Sequence, residues 1–140
     1  MVYNYSNIKE LKKAIYLSDD HDAEIVWASY DKNMRQLVLR LYNPAISIKS
    51  ESVYIFYEIS ALFLLNRDPW CADSGDHTII GITVESEMPF RENPGDAEVV
   101  DLSGKLCICI QQFSGAELYI ACERVSFEKQ DRAREEPKRT

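Results

Sequence analysis

Gln36-Leu37-Val38-Leu39-Arg40-Leu41-Tyr42 alternates with a period of two. Leu37, Leu39 and Leu41 fall on one face and Val38, Arg40 and Tyr42 on the other, which is the pattern of a half-buried strand. Upstream, Ala23 to Tyr30 reads as a second strand. Asp31-Lys32-Asn33 supplies turn residues between them, so the two strands form a β-hairpin. Downstream, Asn43-Pro44 ends the run, and Ser52 to Ser60 alternates again. In that stretch Val53, Ile55, Tyr57 and Ile59 are expected in the core. Tyr54, Phe56 and Glu58 then lie on the opposite face, covering a second layer or meeting a partner.

The same reading extends to both ends of the chain. Ile8, Leu11 and Ile15 recur at helical spacing with Lys9, Glu10, Lys12 and Lys13 opposite them. This predicts a short amphipathic helix with Ser6 as its N-cap, ending before Ser18-Asp19-Asp20-His21-Asp22. Asn66 to Asp76 reads as a loop, His77 to Glu87 as a strand, Met88 to Gly95 as a loop and Glu98 to Leu102 as a short strand. Lys105 to Gln112 and Glu117 to Lys129 make a closing hairpin. Pairing Phe113 with Glu117 puts Leu106, Ile108 and Ile110 on one face with Leu118, Ile120 and Cys122, because the apolar pattern sets register. The expected fold is α+β and mainly β: an antiparallel curved sheet or sandwich with one N-terminal helix. Residues 1–129 form a single domain, and 130–140 are a disordered charged tail.

The chain has 140 residues, 46% hydrophobic and 28% charged, which is a globular composition large enough to fold without a disulfide or metal staple. The N-terminus lacks the basic start and apolar run of a secretory signal. The longest apolar run, Ile59 to Leu65, is too short to span a bilayer. A soluble cytoplasmic protein is expected, with Cys71, Cys107, Cys109 and Cys122 as reduced thiols. Cys107-Ile108-Cys109 is not a knuckle spacing and no further pair completes a zinc set, so the cysteines read as buried small apolar groups; neither metal nor cofactor is expected. No phosphate loop, dinucleotide fingerprint, nucleophile elbow or metalloprotease motif occurs. His21 stands among Asp19, Asp20 and Asp22, and His77 follows Asp76. A carboxylate beside an imidazole is one half of an acid–base pair, which makes a small enzyme using His21 or His77 one reading. A solvated or turn-capping histidine is the other.

Charge is the sharpest signal. The formal net charge is −7, which argues against nucleic acid or anionic membrane as partners. Asp68 to Asp101 holds nine acidic residues (Asp68, Asp73, Asp76, Glu85, Glu87, Glu92, Asp96, Glu98, Asp101) against Arg91 alone. This concentration points to a basic protein partner.

A series of short motifs carries a resemblance: His21-Asp22-Ala23-Glu24-Ile25, Leu37-Val38-Leu39-Arg40-Leu41 after Asp31, Tyr54-Ile55-Phe56-Tyr57, and Pro69-Trp70 followed by Ser74 and Ile79. It resembles a group of small bacterial β-rich domains that begin H-D-x-x-I, continue through a hairpin and carry a later P-W-G-x-S-like loop. Such domains occur beside polymorphic or contact-dependent growth inhibition toxins, where they act as immunity proteins. The resemblance covers residues 20–85. It departs at Cys71, where glycine is usual, and leaves the C-terminal third without a counterpart. It implies no catalytic residues. With the charge pattern it leads to an immunity protein that neutralises a cognate toxin, a basic nuclease, by occluding its active surface. Asp68, Trp70, Asp73, Asp76, Glu85 and Glu87 are the expected partner-binding residues, with Tyr54 as a possible anchor. A non-inhibitory adaptor or ligand-binding β domain is the remaining alternative.

Overall fold

The computed structural model describes residues 1–18, 20–65, 79–85, 104–112 and 117–131. In chain order they form β1 (Val2–Tyr3), a 3-10 turn (Tyr5–Asn7), α1 (Ile8–Ser18), β2 (Glu24–Asp31), β3 (Gln36–Tyr42), β4 (Ser50–Leu65), β5 (Ile79–Glu85), β6 (Leu106–Gln112) and β7 (Glu117–Asp131). These strands make one antiparallel sheet in the order β2-β3-β4-β7-β6-β5, with β1 paired to β7. The expected strand at 98–102 and the loops at 66–76 and 88–95 lie outside the described residues.

The sheet curls until its two outer strands meet. Asp22 N–H donates to the Ile79 carbonyl (2.9 Å), and Ile79 N–H donates to the Ala23 carbonyl (2.8 Å). Sheets twist with one hand, so long strands with creases close on themselves where short flat ones do not. The concave side holds one core built from Leu37, Leu39, Leu41, Tyr54, Phe56, Ile108, Ile110, Leu118, Ile120 and Val125. Helix α1 adds Leu11 to this core, fully buried, with Ile8, Ala14 and Ile15 packed beside it. Asn4 caps the helical segment, in place of the expected Ser6. The Asn4 side chain accepts from Ser6 N–H (2.9 Å), and the Asn7 side chain accepts from Asn4 N–H (2.7 Å). Asn4 has extended backbone geometry, which an N-cap requires, while Ser6 lies inside the first turn.

Strand β4 corrects the expected facing. Tyr54 and Phe56 are the core residues, each 1% exposed, because they sit opposite Leu39 and Leu37 of β3. Ile55 and Tyr57 are only half-buried, while Val53 is buried as expected, at 4% exposure. Ile59 does reach the core, and so does Leu62. The change of face comes from a crease. Glu58 has φ 53°, and pairing with β7 shifts between Ile59 and Ala61. Strand β7 changes face at the same level, from Leu118, Ile120 and Cys122 to Val125 and Phe127. The hairpin turn braces the crease: Ile59 N–H donates to the Arg35 carbonyl (3.0 Å), and Arg35 itself has φ 53°.

The closing hairpin keeps the expected faces at a register shifted by two residues. Gln111, not Phe113, is opposite Glu117, so Leu106 faces Cys122 and Ile108 faces Ile120. A shift of two preserves which side chains point inward. Cys122 therefore lies in the main core, and Cys107 and Cys109 lie on the other face with Tyr119 and Ala121. All three are buried thiols that form no disulfide. Strand β7 also runs on to Asp131, so Gln130 and Asp131 belong to the sheet and not to the tail. Among the described residues, no helix is long and apolar enough to cross a membrane.

Candidate functional site

Three features of the molecule place chemistry-bearing residues together. The first is a buried polar cluster where α1 ends. Strands β4 and β7 bring Ser52 opposite Lys129 and Tyr54 opposite Phe127. The chain leaving α1 turns Asp20 down onto these strands, and its carboxylate is 5% exposed. Ser52 Oγ donates to Asp20 Oδ1 (2.8 Å), and Tyr54 O–H donates to Asp20 Oδ2 (2.7 Å). Lys129 Nζ stands 3.7 Å from Asp20 Oδ1 and donates to Ser52 Oγ (2.8 Å) and the Ser18 carbonyl (3.2 Å). A buried carboxylate is tolerated only with such donors and a countercharge. Burial, and then the Asp20 charge, push the Tyr54 phenol far above its ordinary range, so it keeps its proton. The cluster thus locks the helix end to the sheet.

This arrangement corrects the reading of Tyr54 as a partner anchor. Its ring lies inside, 4.8 Å from the Phe127 ring, and its hydroxyl is taken by Asp20. The reason is parity: the pairing of β3 with β4 aligns Tyr54 with Leu39.

The second feature is a cleft of about 380 Å³ beside that cluster, lined by Ile15, Tyr16, Leu17, Asp20, His21, Gly81 and Ile82. His21 reaches it and is exposed, while its backbone carbonyl accepts from Asn43 Nδ2 (3.2 Å). The Asp20 carboxylate is turned to Ser52 and Tyr54. The imidazole and carboxylate are therefore neighbours in sequence that serve different surroundings. His77 lies outside the described residues. Among the described residues, no three His, Cys, Asp or Glu side chains gather as a metal site would need.

The third feature is the edge formed by β2. Trp27 is 56% exposed, Tyr30 44% and Val26 38%. They border a groove of about 400 Å³ with Ile25, Ala28, Ser29 and Leu37. Trp27 pairs with Arg40 on the outer face, and Tyr30 pairs with Leu37 on the core side. Pairing shifts between Ile25 and Trp27, leaving Val26 at a bulge. The sequence reading missed this surface. Alternation marks a strand with an apolar face, and only the strand order shows that β2 is outermost.

Of the expected partner-binding residues, Asp68, Trp70, Asp73, Asp76 and Glu87 lie outside the described residues. Glu85 is the last residue of β5, opposite Cys107 in the ladder. The charge bookkeeping is still informative. Residues 66–103 carry nine acidic and two basic side chains, and the rest of the chain carries fourteen of each sign. The whole net charge of −7 thus belongs to the stretch that leaves β4, passes through β5 and re-enters at β6. No family model matches the chain. A search of curated proteins likewise finds no match.

Proposed function

We propose that this protein is an immunity protein: it binds a cognate basic toxin and neutralises it by occluding the toxin's active surface. The carrying observation is the segregation of charge. A scaffold with balanced charge holds one stretch, residues 66–103, that contains the entire acidic excess. Opposite charge of this kind speeds encounter and excludes wrong partners. It also competes with the anionic substrate of a nuclease for the same basic surface. The resemblance of residues 20–85 to toxin-associated domains supports the same reading. The placement of His21 and Asp20 supports it over the enzyme reading, since the carboxylate is committed to Ser52 and Tyr54.

The test uses the protein domain encoded immediately upstream of this chain's reading frame. Mixed with the protein, that domain is expected to form a stoichiometric complex whose association slows as salt rises. Replacing Asp73, Asp76 and Glu85 together by Lys should slow association and flatten its salt dependence, because exposed charges act over about 8 Å at physiological ionic strength. Equal rates for parent and triple variant in low salt would remove residues 66–103 from the mechanism. Absence of any complex would remove the reading itself.

A further inference from the structure

Strand β2 is outermost in the sheet, and its free side meets no other strand among the described residues beyond Ala23. Every residue from Val26 to Asp31 is exposed. Exposed edges usually carry a charge or proline in mid-strand, because their outward N–H and C=O groups template further pairing. Val26-Trp27-Ala28-Ser29-Tyr30 carries neither. Its charges stand at the two ends of the ladder and share one sign. Seven residues of β2 pair with β3, from Glu24 at one end to Asp31 at the other, and Val26 is left over at the bulge. Along those seven, Ile25, Ala28 and Tyr30 stand opposite Leu41, Leu39 and Leu37 on the core side, and Glu24, Trp27, Ser29 and Asp31 fall on the outer face. Among the described residues, Glu24 makes no ion pair or hydrogen bond. Asp31 is held in place by the turn, its Oδ1 accepting from Asn33 N–H (3.0 Å) and Met34 N–H (3.1 Å). Lys32 lies beyond the last paired position.

We propose that β2 is a strand-addition site: an extended segment of the basic partner pairs antiparallel with its free edge and continues the sheet. That the partner is the toxin rests on the neutralising reading above. A strand added at an edge is held by main-chain hydrogen bonds, while its alternate side chains must suit two faces. On the core side, the second, fourth and sixth residues of the segment meet Tyr30, Ala28 and Ile25. These border a groove of about 400 Å³ that also includes Leu37, so the incoming residues there are apolar. On the outer face, the first and seventh residues stand level with Asp31 and Glu24, and the fifth lies beside Trp27. Opposite charges directly across a ladder stabilise it and like charges oppose it, so the first and seventh are basic. The edge therefore selects the order basic, apolar, any, apolar, any, apolar, basic. The same positions disfavour a second copy of this chain. With Val26 outside the ladder, two β2 strands paired antiparallel about Ala28 would bring Glu24 of each level with Asp31 of the other, an acid–acid pair at both ends. Trp27 and Tyr30, of the residue types that anchor interfaces, flank the added strand on its two faces.

The first probe is the end-blocked peptide Lys-Val-Thr-Val-Thr-Val-Lys, titrated into the isotope-labelled full chain in low salt and followed by nuclear magnetic resonance. At peptide concentrations up to about 1 mM, where weak contacts fill, the β2 amides from Val26 to Asp31 are expected to shift. The peptide with Glu at both ends should bind about tenfold more weakly. Glu24→Lys should weaken the Lys-ended peptide about fivefold, and on that variant Lys-Val-Thr-Val-Thr-Val-Glu should recover the loss, because its last residue faces position 24. Ala28→Lys sets a charge against the central valine and should abolish binding, with circular dichroism showing the fold kept. The second probe is the upstream-encoded domain, whose complex both variants should weaken. A Lys-ended peptide that leaves the β2 amides unmoved, or binds no better than the Glu-ended one, overturns the proposal. So does a charge exchange at Glu24 that fails to recover. A domain complex that forms with parental affinity in both variants also overturns it, while the neutralising reading stands. No complex with the parent removes that reading, and the peptide then decides strand addition by itself. A parent that dimerises, with the dimer lost in Ala28→Lys, gives the edge to a second copy and overturns the proposal.

Discussion

Tyr54→Phe takes the phenol O–H out of the buried cluster, losing its short bond to Asp20 and its longer contact of 3.5 Å with Ser18 Oγ. The substitution keeps the ring, and so keeps its packing on Phe127 at 4.8 Å and on Phe56 at 6.2 Å. It removes the O–H that reaches Asp20 Oδ2 at 2.7 Å. Ser52 and Lys129 both approach the other carboxylate oxygen, Oδ1. Oδ2 would therefore lose its hydrogen-bond donor in a site where Asp20 is 5% exposed. A hydrogen bond to a charged group contributes about 1.5–3 kcal/mol, and the buried orphan places this case in the upper half of that range. For a chain of this size the loss corresponds to a fall in Tm of roughly 6–10 °C. Urea unfolding followed by circular dichroism should show the midpoint falling with the slope unchanged, because the surface exposed on unfolding is the same. A pH series gives a second readout. The phenol's pKa is raised in the folded state from an ordinary value of 10.0. The folded state therefore holds this proton more tightly than the unfolded chain does. Stability is fully present below about pH 10 and declines as pH rises above it. Tyr54→Phe should remove that part of the decline. Cys122 would contribute its own loss in both proteins, since burial pushes its thiol from 9.0 up to about 12. A destabilisation below about 0.5 kcal/mol, the range of ordinary surface changes, would refute the reasoning and show that water replaces the phenol.

Other perturbations address the helix, the thiols and the tail. Asn4→Ala removes the side-chain acceptor for Ser6 N–H and Ser6 Oγ while keeping the backbone N–H that donates to Asn7, and should cost about 1 kcal/mol in urea unfolding. Thiol titration should count four cysteines in denatured, unreduced protein, while in native protein Cys107, Cys109 and Cys122 react slowly because all three are buried. A denatured count of two would indicate a disulfide instead. Deleting residues 132–140 should change stability by less than about 0.5 kcal/mol. Deleting from Gln130 should cost more, because Gln130 and Asp131 pair with Glu51 and Ser50 of β4.

The sequence by itself determined the segments of β2 to β7, though not the short β1, and where the first hairpin lies. Gln36 to Tyr42 is β3 to the residue, and β2 is displaced by only one. Local alternation suffices there, because Leu37, Leu39 and Leu41 have a single sensible inward face. It also determined the shared face of β6 and β7, since a two-residue shift leaves facing unchanged. Facing in β4 was beyond it. Both faces of that strand are apolar, so periodicity cannot choose between Tyr54 and Ile55; alignment with Leu39 and the crease at Glu58 decide. Asp20 was equally opaque. In sequence it is one of three aspartates around a histidine, and its burial follows only when β4 and β7 deliver Ser52, Tyr54 and Lys129 to it. The exposed edge of β2 depends on strand order, a long-range property that no window of neighbouring residues contains. The acidic excess of residues 66–103, by contrast, is a sum over side chains and needs no fold to be counted. Hydrophobic period and net charge are local or additive, so the sequence states them outright. The inward face of a strand with two apolar sides and the availability of an edge depend on the partners beside it, and only the tertiary structure supplies those.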